Sequence, residues 1–159
     1  MTQQKDVLVA LRRITRAIDL HSKKLAKDIG LTAPQLLVLQ QVGKSGSARP
    51  SEVARLVYLS QATITSIVDR LVKARLVTRI RSEEDRRSVD IVLTDAGRKK
   101  LEAAPELLQA EFLASFDGLE DWEKSLLVSS LQRLAAMMDA ESIDAAPILE
   151  VGEISPKFD

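Results

Sequence analysis

The apolar residues at the start of the chain recur with the period of a helix. Between residues 5 and 29 they lie three or four positions apart, with neither proline nor glycine among them, which predicts one long amphipathic helix. Gly30 is a typical residue for its end. Thr32 and Gln35 have the spacing of a capping box and predict the start of a second helix. We expect that helix to stop at Gly43.

Two shorter helical segments follow, and the apolar period then changes from about 3.6 residues to about 2. The helices are predicted at 50–58 and 61–74, and the brief stop between them predicts a helix-turn-helix. Alternating residues at 76–81 and 88–93 predict a β-hairpin, with the charged sequence SEEDRR as its turn. A hairpin in this place is a wing. We therefore predict a mainly α fold with a small β-hairpin wing, a winged helix-turn-helix.

The rest of the chain returns to the helical period. Thr94 is predicted to cap a helix that continues through residue 116 with a kink at Pro105. A last helix is predicted at 120–140. Residues 142–159 have no clear period and contain two prolines, and we expect an extended tail that is either disordered or docked on the protein.

One face of the fourth predicted helix has the composition of a DNA-reading surface. Its apolar stripe is expected to face the core and consists of Ile64, Ile67, Val68 and Leu71. Small side chains on the other face let a helix approach base edges, and glutamine can pair with adenine. The expected DNA contacts on or beside this helix are Ser51, Ser60, Gln61, Ala62, Thr63, Thr65, Ser66 and Arg70. The alternative for each threonine is a capping or phosphate-contacting role, and Ser51 and Arg70 are expected to contact phosphate.

The turn of the hairpin combines acids with two arginines. Arg86 and Arg87 are expected to enter the adjacent minor groove, where narrowing deepens the negative potential; the alternative is a solvated turn. Arg79 and Arg81, on the first strand, are further expected DNA contacts. Asp85 is expected to hold the turn through its backbone. We expect the two glutamates to oppose indiscriminate binding of polyanions.

The net charge of zero conceals a segregation of charge along the chain. Residues 1–100 carry 20 Lys and Arg against 10 Asp and Glu, whereas residues 101–159 carry 3 against 13. A basic front half is compatible with a face turned toward a polyanion such as DNA.

The composition excludes several kinds of site. There is no cysteine and a single histidine, His21, so thiol chemistry and zinc-thiolate or all-imidazole sites are excluded, and no metal or cofactor is expected. Nucleophile-elbow, zinc and dinucleotide motifs are also missing, so we predict that the protein is not an enzyme. No apolar run reaches the roughly 18 residues that span a bilayer, and the start lacks a signal core. We expect a cytoplasmic protein without a membrane partner.

These features occur in the order of a known family. The motifs along the chain are Leu31-Thr32-x-x-Gln35, Ser51-x-Val53-Ala54, Ser60-x-x-Thr63, Asp69-Arg70-Leu71, Leu76-Val77-x-Arg79, Asp85-Arg86-Arg87 and Leu93-Thr94-x-x-Gly97. Together they resemble the MarR family of bacterial transcription regulators over roughly residues 5–141. Two positions depart from the family pattern: Arg75 replaces a glycine before the first wing strand, and Glu120 stands where serine often begins the last helix.

The resemblance implies a domain at 1–141 followed by a tail. The DNA-binding lobe would span 32–97, and a homodimer would form through helices at 5–29 and 98–141. The apolar seam of the first helix and the stripe of the last favour dimerisation independently, because one small lobe cannot cover both. The resemblance also implies that Asp69 pairs with a wing arginine, for which Arg87 is expected.

The family further implies a repressor of near-palindromic promoter sites on double-stranded DNA, released by a small aromatic or anionic effector. The expected pocket residues are Arg16, Leu20, His21 and Leu39. His21 is either an interface histidine or a pH- or ligand-sensing group. The alternative function is a winged helix that assembles proteins without sequence-specific DNA binding.

Overall fold

A computed structural model describes residues 2–143 and 145–151. The chain forms two compact units. The first unit runs to Pro105 and includes the segment that begins at Leu149, and the second unit spans Glu106–Ile148. The remaining part of the expected tail, residues 152–159, lies outside the described residues.

The first unit contains the predicted winged helix-turn-helix. Its elements are α1 (Thr2–Ile29), α2 (Ala33–Ser45), α3 (Pro50–Leu56), α4 (Gln61–Lys73), β1 (Val77–Arg81), β2 (Val89–Leu93) and α5 (Asp95–Ala103). The core lies where α2, α3, α4 and β2 meet, and its most deeply buried side chains are aliphatic. They include Leu36, Val38, Leu39, Val42, Val53, Ile64, Leu71 and Ile91. The predicted fold class is confirmed.

The start of α2 is as predicted, but its end is not. The Gln35 amide donates to Thr32 Oγ1 at 3.4 Å and the Thr32 amide to Gln35 Oε1 at 3.0 Å, which closes the capping box. The helix then continues through Gly43, which we had expected to end it, and stops before Gly46 at φ +73°. A Cβ on Gly43 would lie 2.8 Å from Leu101 Cδ2. Glycine is therefore used there for close packing, whereas the left-handed conformation falls on Gly46.

The wing is an antiparallel pair with a third attachment that we had not predicted. Val77 pairs with Leu93 at one end of the hairpin and Arg81 with Val89 at the other. Ala48, in the connection between α2 and α3, forms an isolated bridge to Ile91 with N–H···O distances of 3.1 and 2.9 Å. The bridge fixes the base of the wing to the helix-turn-helix.

The turn from α4 into β1 keeps a glycine-like conformation without glycine. Arg75 has φ +58°, in the left-handed region that favours glycine. Thr94 holds this turn, because its hydroxyl donates to the Arg75 carbonyl at 2.7 Å and its amide donates to the Leu76 carbonyl at 3.1 Å. The replacement of the family's glycine at this position therefore leaves the turn intact at the expense of a strained φ.

The second unit consists of α6 (Leu108–Asp117) and α7 (Asp121–Met137). We had predicted one kinked helix across Pro105, but α5 ends at Ala103 and α6 begins at Leu108. The residue before a proline is pushed out of the helical region, and Ala104 is extended at ψ 138°. At the start of α7 the Glu120 amide donates to Glu123 Oε2 at 2.9 Å, so the family's serine is not needed for this bond.

The segment after α7 contacts the first unit. Its Glu150 carboxylate accepts a hydrogen bond from the Ala33 amide, at the start of α2, at 3.3 Å. This contact favours the docked alternative for the described part of the tail. No helix within residues 2–143 is both long enough and apolar enough to cross a membrane.

Candidate nucleic-acid interface

The second helix of the helix-turn-helix, α4, presents a narrower polar face than its sequence indicates. Gln61, Ala62 and Thr65 are exposed, while Thr63 and Arg70 are half-buried. Ser66, which we had expected on this face, is only 8% exposed. The reason is that α4 packs against α2, α3 and β1, which together cover more of it than its apolar stripe alone marks.

The hydroxyl groups at the start of α4 are already engaged within the helix. Ser60 Oγ caps the helix by accepting from the Thr63 amide at 3.1 Å, and it shares a second hydrogen bond of 2.8 Å with Thr63 Oγ1. Thr65 Oγ1 donates to the Gln61 carbonyl at 2.9 Å. Thr65 is therefore left with a methyl group and acceptor lone pairs for a base edge, while the Gln61 amide can both donate and accept.

An ion pair joins α4 to the wing, but with a different partner from the expected one. The Asp69 carboxylate binds the Arg79 guanidinium on β1, not Arg87 as we had predicted. Arg79 lies on the strand that leaves α4 after a short turn, whereas Arg87 lies beyond the wing tip. The pair fixes the direction in which the wing leaves the recognition helix, and it partly neutralises Arg79 as a DNA contact.

The wing tip is folded by Asp85 and exposes both of its arginines. Asp85 Oδ1 accepts from the Arg87 amide at 2.9 Å, and the Asp85 carbonyl accepts from the Ser88 amide at 2.9 Å. Ser82, buried at the base of the tip, accepts from the Asp85 amide at 3.4 Å. Arg86 and Arg87 are both exposed at the end of this fixed turn.

Sequence reasoning missed one arginine of this region. Arg49, just before α3, places its guanidinium between two wing carboxylates: Nη2 is 3.4 Å from Glu84 Oε2 and Nε is 3.9 Å from Asp90 Oδ1. Ser47 Oγ donates to the other Asp90 oxygen at 3.1 Å. Ser51, two residues further on, is exposed, as is Arg81 on the wing. The sequence signal for Arg49 was its position directly before Pro50 at a helix start.

The residues expected around an effector are divided in the structure. Arg16 and Leu20 line a shallow depression of about 490 Å³ on α1, and Arg16 pairs with Asp19 at 2.9 Å. His21 is half-buried and has an interaction partner. Leu39 is fully buried in the core of the first unit, so it cannot line a pocket in this conformation. Burial of Leu39 follows from its place on the face of α2 that packs against α4.

No cluster of three or more His, Asp or Glu side chains with metal-binding geometry occurs within the described part of the chain.

A helix-turn-helix with an exposed polar recognition face, followed by a hairpin that ends in two arginines, defines a winged-helix DNA-binding protein. A sequence model of the MarR family matches residues 31–89, which include α2, α3, α4 and most of the wing. The chain belongs to the MarR family. It is a helix-turn-helix transcriptional regulator.

Similar proteins support this assignment across most of the chain. The transcriptional regulator YpoP of Bacillus subtilis is 30% identical over 129 residues, which cover 81% of this chain and 91% of YpoP. The transcriptional repressor MdtR of the same organism is 28% identical, covering 82% of this chain and 86% of MdtR. These relatives are regulators of transcription, not enzymes.

Solved structures share the fold. A MepR-like protein complexed with pseudoligands superposes with a TM-score of 0.58 at 26% identity, covering 87% of this chain and 97% of that one. BpsR of Bordetella bronchiseptica, whose DNA binding is regulated by 6-hydroxynicotinic acid, gives a TM-score of 0.51 at 26% identity, covering 82% and 98% of the two chains.

Proposed function

We propose that this regulator is a dimeric repressor that binds near-palindromic promoter sites through α4 and the wing of each chain. The observation that carries the proposal is the pairing of two surfaces. The recognition face exposes Gln61, Ala62 and Thr65, and the wing exposes Arg86 and Arg87 on a turn that Asp85 holds in place. The first surface suits base edges in a major groove and the second suits the negative potential of a minor groove.

The proposal of a dimer rests on apolar surface that each unit leaves uncovered. In α1 the exposed large apolar side chains are Val7, Leu8, Val9, Ile14 and Leu20. In α7 they are Trp122, Leu126, Leu127, Val128, Leu131 and Met137. Monomeric proteins rarely leave contiguous apolar surface of this kind in water. A second copy of the chain is the partner that we propose for it, with half-sites one helical turn apart on the DNA.

The proposal of repression and release draws on the relatives. MdtR is a repressor, and the DNA binding of BpsR responds to an aromatic acid. For this chain we propose a small aromatic or anionic effector near Arg16, Leu20 and His21. Such a ligand releases DNA only if it binds a non-binding arrangement of the two lobes more tightly than the DNA-bound one.

The contribution of the wing can be measured with three arginine variants. The probe is a duplex from the region upstream of the protein's own coding sequence, followed by fluorescence anisotropy at constant salt. Loss of a groove-contacting arginine costs about 1–3 kcal/mol, so Arg86→Ala or Arg87→Ala should weaken binding by about 5- to 150-fold. Arg98→Ala is the matched control, since Arg98 is an exposed arginine on α5 of the same unit.

The control should change the affinity less than twofold. If Arg86→Ala and Arg87→Ala bind no more weakly than Arg98→Ala, the wing is not a DNA contact. If the wild-type dimer fails to retard any such fragment at low salt, the protein-assembly function replaces the DNA-binding one.

A further inference from the structure

Arg49 lies where the two proposed DNA-contacting elements meet. It directly precedes α3, two residues before the exposed Ser51, and its side chain reaches the wing. Around it is a cleft of about 350 Å³ whose lining includes Ser47, Glu52, Ile80 and Glu83. A cation at this place is close to both surfaces that the proposed function turns toward a duplex.

The two carboxylates that face Arg49 differ in their surroundings. The Asp90 side chain is 15% exposed and is also bound by Ser47 Oγ, so it is a fixed anchor beneath the guanidinium. The Glu84 side chain is 88% exposed and lies on the outer side of Arg49, near the wing tip. Solvent screens such an exposed pair strongly, so a competing anion can replace Glu84 at little cost.

The Arg49–Glu84 pair is not needed to hold the wing. The base of the wing is already attached by the two Ala48–Ile91 backbone hydrogen bonds and by the Asp69–Arg79 ion pair. Two backbone bonds at a buried residue fix the position of β2 more firmly than one exposed ion pair does. The placement of Arg49 against Glu84 therefore calls for another explanation.

We propose that Arg49 is an additional phosphate-binding residue that Glu84 occupies in the free protein. The inference rests on the proposed function and names a control built into the same surface. When DNA binds, a phosphate replaces Glu84 on the outer side of the guanidinium, and Asp90 keeps the guanidinium in place from below. Arginine binds phosphate through two parallel hydrogen bonds, which a single carboxylate contact of 3.4 Å does not match.

The exchange lowers the affinity for DNA, because the Arg49–Glu84 contact is lost on binding and Glu84 itself repels phosphate. The same cost applies to operator and to unrelated DNA. Glu84 thus limits how tightly the regulator holds any duplex without choosing between sequences. This gives the glutamate of the wing a specific partner, where the sequence indicated only a general repulsion of polyanions.

Glu84→Gln tests the exchange, with Glu83→Gln as the matched control. Both substitutions remove one negative charge from the wing tip, but among the ion pairs of the described residues Glu84 contacts Arg49 and Glu83 contacts none. Glu84→Gln should bind the promoter duplex about 3- to 10-fold more tightly than Glu83→Gln at low salt. Its plot of log affinity against log salt should be steeper by about 0.9, the value for one more neutralised phosphate.

A double substitution shows whether Glu84 acts through Arg49. In an Arg49→Gln background, Glu84→Gln should lose its advantage over Glu83→Gln. An advantage that persists in that background, or Glu84→Gln binding no more tightly than Glu83→Gln, overturns the inference. A weaker Glu84→Gln complex does so as well, since the pair would then hold the wing. In each of these outcomes the wild type still binds DNA, whereas failure of the proposed function is seen as no binding by the wild type.

Discussion

Replacing Gly97 with alanine places a methyl group inside a backbone contact. A Cβ at this position would lie 2.0 Å from the Leu76 carbonyl oxygen and 3.0 Å from its carbon. Carbon and oxygen atoms in close contact are normally about 3.3 Å apart. Either α5 or the turn before β1 must therefore move by about 1 Å, and the glycine of the Leu-Thr-x-x-Gly motif is required by close approach and not by an unusual φ.

The cost of that movement can be worked out from the bonds around it. The Leu76 carbonyl accepts from the Thr94 amide at 3.1 Å, and Thr94 Oγ1 caps α5 by accepting from the Gly97 amide at 3.0 Å. Overpacking costs about 1–3 kcal/mol and a lost helix cap about 0.5–2 kcal/mol. We expect Gly97→Ala to lower the free energy of unfolding by about 3 kcal/mol, taking the middle of both ranges.

Urea denaturation followed by circular dichroism measures this loss at one fixed protein concentration, because a dimer's stability depends on concentration. Gly118→Ala is the control, since Gly118 has φ −75° and the nearest atom to its added Cβ is 3.5 Å away. The control should stay within about 0.5 kcal/mol of the wild type. A Gly97→Ala protein within about 1 kcal/mol of the wild type would refute the reasoning from this contact.

Three further predictions concern single side chains. Asp69→Asn should cost less than about 1 kcal/mol of stability, because its pair with Arg79 is exposed; a loss above about 2 kcal/mol in urea would contradict this. Arg75→Gly should raise the thermal midpoint, since relief of the left-handed φ gains about 1 kcal/mol, and an unchanged or lower midpoint would show that the turn is unstrained. A hydrogen bond from Lys23 lowers the pKa of Asp19. Lys23→Met should raise that pKa in a carboxyl NMR titration. The stabilisation from this contact is present at neutral pH and lost as the pH falls through the lowered pKa, and an unshifted titration in Lys23→Met would argue against it.

Local patterns were sufficient to predict most elements of the fold. The helix-turn-helix and hairpin follow from a change of period and from caps whose atoms lie close in sequence, such as those of Thr32 and Thr94. The errors occurred where a distant contact decides. Gly43 remains helical because α5 packs against it, and Arg75 keeps a left-handed turn because Thr94 holds it.

The candidate site was less predictable because its geometry depends on which elements meet. Period alone gave the exposed Gln61 and Thr65, but not the burial of Ser66 beneath neighbouring elements. The choice between Arg79 and Arg87 as partner of Asp69 depends on the path of β1. Arg49 meets Glu84 across 35 residues of chain, and no spacing rule indicates such a pair.

Selection of bound duplexes from a random DNA pool is the most direct test of the claim that two copies of α4 and the wing bind neighbouring grooves. The purified full-length protein is incubated with the pool at constant salt, and the retained sequences are compared with the input. We expect a near-palindrome whose half-site centres lie about 10 base pairs apart. A pool that stays random, or that enriches one unrepeated half-site, would contradict the account.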